Sequence, residues 1–182
     1  MKSKEDNLLE LFFNNPSREW HFEEILKEAD ITRSKATKWL KSFVNEGLIR
    51  KVKEKGKMPY YIGNYDSPSY QNKKRIYALN SLYKSGFLNH LTSLKKASAV
   101  MLFGSFTRWD WHKNSDIDLF IYGDPEGLKI GEYETKLHRD IQVFACKNKN
   151  ELNKLGVGLI RNIIKGDIIK GDIDFIEVGM NA

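Results

Sequence analysis

In the first third of the chain, apolar residues fall at helical spacing and then at alternating spacing, outlining three helices and a hairpin. Leu8, Leu9, Leu11, Phe12 and Phe13 cluster in a helix over residues 6–14, which ends in the turn Asn14-Asn15-Pro16-Ser17. Residues 21–29 predict a second helix burying Phe22, Ile25 and Leu26. A third spans 33–46, with Thr32 as N-cap, Ala36, Leu40, Phe43 and Val44 on one stripe, and Gly47 closing it. Residues 48–54 and 58–62 then read as strands joined through Lys55-Gly56-Lys57.

Residues 70–94 form a long helical stretch, with Ile76, Leu79, Leu82, Tyr83, Phe87, Leu88 and Leu91 at near-helical spacing and Gly86 kinking or dividing it. The unbroken apolar run 97–103 reads as a buried strand that turns at Gly104-Ser105 into a short helix over 107–111. Asp116-Ile117-Asp118 leads into a second strand, Leu119-Phe120-Ile121-Tyr122, and residues 137–144 alternate as a third. A helix over 150–165, with Leu152, Leu155, Leu159, Ile160 and Ile163 as its apolar residues, stops at Gly166, and 173–178 is a final strand. The fold class is α+β, with a helical and hairpin module over 1–66, a connecting helical segment over 67–95, and a mixed sheet flanked by helices over 96–182.

Composition narrows the class. The 182 residues are 41% apolar and 30% charged, which excludes a disordered chain or a coiled-coil fibre. The single thiol, Cys146, has no intramolecular partner and suits a reducing cytoplasm. The amino terminus is too charged for a signal peptide, and no apolar run is long enough to span a bilayer, so a cytoplasmic protein with no membrane partner is expected. Charge is uneven. Residues 1–95 carry 18 Lys and Arg against 11 Asp and Glu, whereas the remainder carries 12 against 13. A basic front half joined to a near-neutral back half implies modules with different partners.

Three short helices followed by a hairpin resemble a winged helix-turn-helix, most clearly over 31–63. Within 31–60 there are nine basic residues and two acidic ones, Glu46 and Glu54. The resemblance implies DNA or RNA binding. Arg33, Ser34, Thr37 and Lys38 near the start of the third helix are the base-reading candidates, while Lys41 and the hairpin lysines Lys55 and Lys57 would meet phosphates. The competing reading is a solvated lysine-rich face on a protein-docking module.

The chemistry concentrates in one stretch: strand, Gly104-Ser105, a ten-residue spacer from Phe106 to Ser115, Asp116-Ile117-Asp118, strand. Gly104 lets the backbone approach a phosphate with no Cβ in the way, and Ser105 adds a hydroxyl to the amides that follow. Asp116 and Asp118 share a face because strand side chains alternate, about 7 Å apart at Cα, a spacing suited to a divalent cation. Carboxylates combined with nucleotide phosphates are the oxygen ligands Mg²⁺ prefers. By contrast, Asp172-Ile173-Asp174 has no Gly-Ser upstream and reads as a surface turn.

This segment resembles the signature of the DNA polymerase β-like nucleotidyltransferase superfamily, and its spacer is similar to that of the minimal nucleotidyltransferases. The resemblance implies that Gly104 and Ser105 hold the β- and γ-phosphates of an NTP, with ATP the first guess. It further implies that Asp116 and Asp118 are Mg²⁺ ligands, and that Arg108 supports phosphate or the loop. The family adds a third carboxylate from a neighbouring strand, flanked by apolar residues, and here the flanked position is Gln142, which departs from the pattern. Asp140, one pleat repeat earlier on the same face, is the candidate third catalytic and metal ligand, provided the strand is shifted along its neighbour. Trp109 and Trp111 read as packing under the loop rather than stacking on a base. The expected function is Mg²⁺-dependent transfer of NMP from an NTP to an unidentified acceptor. The rivals are a DNA-binding regulator that binds nucleotide without turnover and an antitoxin-like subunit with a toxin partner. A protein acceptor and a homodimer contact through the connecting helix stay open.

Overall fold

The computed structural model describes residues 3–176. The chain divides into two compact units, one comprising residues up to Ile76 together with Trp109–Asn114, the other Tyr77–Arg108 and the chain from Ser115 onward. The connecting stretch over 67–95 is thus shared between them.

In the first unit, α1 (Lys4–Asn14) opens with a reciprocal cap. The Ser3 hydroxyl accepts from the Asp6 amide at 3.0 Å, and the Asp6 carboxylate accepts from the Ser3 amide at 3.3 Å. The order continues β1 (Trp20–His21), α2 (Phe22–Ala29), α3 (Arg33–Asn45), β2 (Ile49–Val52) and β3 (Tyr60–Gly63). The strands form an antiparallel sheet in the order β1-β3-β2, with Trp20 opposite Tyr61 and Ile49 opposite Gly63. Leu8, Phe12, Phe13, Trp20, Ile25, Ala36 and Leu40 are buried. Several expectations need correction. β1 has no counterpart in the sequence pattern, Phe22 and Leu26 are only half-buried, and Val44 lies at the surface. The hairpin strands are shorter than expected because 53–57, which is nearly all charge and glycine, stays in solvent. Thr32 occupies the N-cap position without a side-chain capping bond.

Gly86, at φ +80°, divides the long helical stretch into α4 (Pro68–Lys84) and α5 (Phe87–Thr92). The buried stripe of α4 is Tyr70, Lys74, Ala78 and Leu82, at four-residue spacing, whereas Ile76, Leu79 and Tyr83, expected to pack, are exposed. Lys74 is fully buried in the first unit. Its ammonium donates to the Trp111 carbonyl and lies 4.5 Å from the centre of that indole ring. Beside it the Tyr70 hydroxyl donates to the Phe12 carbonyl at 2.9 Å, and Phe13 meets Trp111 edge-on at 6.1 Å. The middle of the spacer is therefore held in the core of the first unit.

The second unit contains β4 (Ala97–Phe103), β5 (Ile117–Gly123), α6 (Ile130–Leu137), β6 (Ile141–Cys146), α7 (Lys149–Leu152), α8 (Val157–Ile164) and β7 (Asp167–Lys170). Its mixed sheet runs β6-β5-β4-β7, with β5 and β6 parallel and the other pairs antiparallel. Met101, Phe103, Phe120 and Cys146 pack with Leu152 and Ile163, while Val100, Leu102, Leu119 and Ile121 are also buried. Burial of alternate positions on both sides explains why β4 and β5 read as apolar runs. Two expectations change here. The helix over 150–165 is broken into α7 and α8, with Gly156 capping the latter. The expected strand over 173–178 is replaced by β7 upstream, with a turn at 173–176, where the Ile176 amide donates to the Ile173 carbonyl at 2.9 Å; positions 177–178 lie outside the described residues. Phe175 stacks on Tyr122 at 4.2 Å, so the apolar residues that suggest a strand pack on the sheet face instead. Among the described residues no helix is long and apolar enough to cross a membrane.

Candidate active site

The chain leaves β4 through Gly104, at φ +79°, into a turn closed by the Arg108 amide donating to the Ser105 carbonyl at 3.0 Å. The Thr107 hydroxyl donates back to the Gly104 carbonyl at 3.1 Å. The short helix expected over 107–111 does not form, because Trp109–Asn114 belong to the first unit. Amides available to an anion therefore belong to a tight turn following a left-handed glycine, without a helix dipole behind them.

β5 begins at Ile117, so Asp118 lies within the ladder, opposite Phe103, and Asp116 immediately precedes it. The strand is longer than the expected 119–122 and places Asp118 on the face that also carries Phe120. Asp118 and Gly104 are in close approach: a Cβ at position 104 would lie 1.9 Å from the Asp118 Oδ2. Burial raises the Asp118 carboxyl above the usual aspartate range, Asp116 raises it further by repulsion, and the Arg108 guanidinium opposes both. Gly104, Arg108, Asp116 and Asp118 thus converge, and a divalent cation would relieve the repulsion between the acids. Among the described residues no three His, Cys, Asp or Glu side chains gather into a metal cage. Two neighbouring carboxylates fit a hard cation that completes its shell with phosphate and water.

The raised Asp118 value has a stability consequence. Between the ordinary aspartate range and its raised value, the folded state binds more protons than the unfolded one, so ionisation at higher pH disfavours folding. Asp118→Asn is expected to raise the melting temperature at pH 7 without added metal, an advantage that disappears below about pH 3.5. Thermal melts of both proteins across pH would check it; equal melting temperatures at neutral pH would refute the argument.

The third strand opens later than the sequence suggests, because Leu137 ends α6 and His138 is its left-handed cap. The parallel register sets Gln142 beside Asp118, with no shift of β6 along β5. Asp140 lies just before β6, exposed, and its carbonyl accepts from the Ile117 amide at 2.9 Å, which brings its backbone alongside the Asp116–Asp118 segment. Two further side chains organise this junction. The Glu134 carboxylate is half-buried and accepts from the Ile141 amide at 3.0 Å. Arg139 Nη1 donates to the Ser115 carbonyl at 2.9 Å. The only sequence signal for Arg139 is its position beside the candidate acid.

The residues proposed from sequence for nucleic acid divide into two groups by their partners. All seven are exposed, and three of them also bond within the first unit. Arg33 is paired with Glu23 at 2.8 Å and lies over the Phe22 ring, Lys57 pairs with Glu54 at 2.5 Å, and the Thr37 hydroxyl donates to the Arg33 carbonyl at 2.9 Å. In the spacer, Trp111 is buried and Trp109 meets Tyr65 edge-on at 4.6 Å.

Against known proteins, residues 88–174 match the family model for the polymerase beta nucleotidyltransferase domain. No curated protein matches the chain.

Proposed function

We propose, from the premise that residues 88–174 belong to the polymerase β-like nucleotidyltransferase superfamily, that this protein transfers a nucleoside monophosphate from an NTP, with ATP the first candidate, to a hydroxyl-bearing acceptor. The observation that carries the reading is the approach of the Asp118 carboxylate to left-handed Gly104, with Asp116 and Arg108 within electrostatic reach. The turn at Gly104 and Ser105 would hold the triphosphate tail, and Asp116 and Asp118 would hold Mg²⁺ through their oxygens. The cation would supply neutralisation of phosphate charge and acidification of the acceptor hydroxyl. Asp140, exposed just ahead of β6, would take the acceptor proton as the acceptor oxygen bonds to the α-phosphorus. The bond from that phosphorus to the bridging oxygen breaks, and pyrophosphate leaves with the electron pair.

Nucleic acid is the partner proposed for the first unit. The order α-β-α-α-β-β with a three-stranded sheet supports a winged helix, and the exposed Ser34, Lys38, Lys41 and Lys55 supply contacts at its helix and hairpin. A regulator that binds nucleotide without turnover is the second reading, favoured by the neutral Gln142 beside Asp118.

The test incubates the protein with α-labelled ATP, Mg²⁺ and RNA, DNA or cell-extract acceptors. Transfer of label with release of pyrophosphate, lost in Asp118→Ala, supports the enzyme. Nucleotide binding without transfer, together with DNA retention that falls steeply with salt, supports the regulator.

A further inference from the structure

The acid pair and the phosphate turn lie at opposite ends of a ten-residue spacer, and something must fix the distance between those ends. Both ends meet one side chain inside the second unit. The Arg139 guanidinium stands 5.0 Å from the centre of the Phe106 ring, and its Nη1 donates to the Ser115 carbonyl at 2.9 Å. Phe106, 3% exposed, directly follows Ser105, and Ser115 directly precedes Asp116. The backbone continues the link, since the Asp140 carbonyl accepts from the Ile117 amide and Glu134 holds the Ile141 amide.

We propose that Arg139 is a positioning residue for nucleotidyl transfer, clamping both ends of the spacer so that Asp116 is held against the phosphate turn. This rests on the catalytic reading above. The planar guanidinium suits the task because one face can lie on an aromatic ring while its edge donates to a carbonyl. Asp118 needs no such help, being fixed by the strand ladder opposite Phe103, whereas Asp116 lies outside the strand. The clamp therefore acts on Asp116, and its loss should affect the chemical step more than nucleotide capture.

Arg139→Met keeps an apolar stem over Phe106 and removes the donor, and Arg139→Lys restores a charge without the planar fork. For Arg139→Met, kcat is expected to fall by about 10²-fold, the loss that a displacement near 1 Å produces, with KM for the nucleotide within about threefold. Arg139→Lys should recover part of the rate. Hydrogen exchange in the protein alone provides a readout independent of turnover. The Ile117 amide is expected to exchange at least tenfold faster in Arg139→Met, while amides in the middle of β4 and β5 are unchanged. A folded Arg139→Met with normal kcat overturns the proposal, as does an unaltered Ile117 amide or exchange accelerated evenly across the sheet. If the unmodified protein transfers nothing, the catalytic reading fails, and the exchange measurement separately decides whether Arg139 holds the segment.

Discussion

Gly104→Ala is expected to cut Mg²⁺–nucleotide affinity and transfer by about 10²-fold or more, even though it adds a single methyl group. Two penalties combine. The backbone at φ +79° costs an L-residue with a Cβ about 1–2 kcal/mol. The methyl carbon would also lie 1.9 Å from the Asp118 Oδ2 and 2.8 Å from its Cγ, so the carboxylate must swing away from the turn. Because Asp118 belongs to β5 and pairs with Phe103, its backbone cannot follow the side chain without breaking the ladder. Gly127→Ala is the matched control, since Gly127 has φ +88° and a methyl group there would meet nothing within 4 Å. Calorimetric titration of Mn²⁺–ATP into both variants should show weak binding only at position 104. Equal affinities in the two would mean that the approach of Gly104 to Asp118 has no part in nucleotide binding.

The parts of this site that are legible in the sequence are those whose chemistry is local. Gly104, Ser105 and the two aspartates bracket the boundaries of β4 and β5, and an apolar run buried on both sides is recognisable without its neighbours. What stays hidden depends on pairing across the fold. Alternation places Asp140 and Gln142 on one side, but only the parallel register with β5 says that Gln142 meets Asp118. Arg139 reads like any surface cation because its partners, Phe106 and Ser115, are distant along the chain. The buried stripe of α4 is concealed for a similar reason: it includes Lys74, whose charge meets the carbonyl and indole of the distant Trp111 as well as the Tyr70 ring one turn earlier, so following apolar residues alone leads to Ile76, Leu79 and Tyr83. β1 is two residues long, below the length at which alternation is a signal.

Asp140→Asn is expected to lower kcat by about 10²–10³-fold with little change in nucleotide affinity, as befits removal of the group that takes the acceptor proton. The Asp140 carbonyl bonds to the Ile117 amide whatever its side chain, so the amide variant leaves the junction of β5 and β6 in place and tests the carboxylate itself. Gln142→Asp supplies the opposing case. It would put a third acid directly beside Asp118, a carboxyl already raised by burial and by Asp116, and the added repulsion would push that value higher still. With Asp140 as the working base, Gln142→Asp should move the acidic limb of the pH–rate profile upward and leave the plateau rate no higher. The reverse pattern, a normal rate in Asp140→Asn and a gain above about tenfold in Gln142→Asp, would assign the third position to residue 142. The natural glutamine would then leave a domain that holds nucleotide and one cation but lacks the base for turnover, which is the chemistry expected of a sensor rather than a transferase.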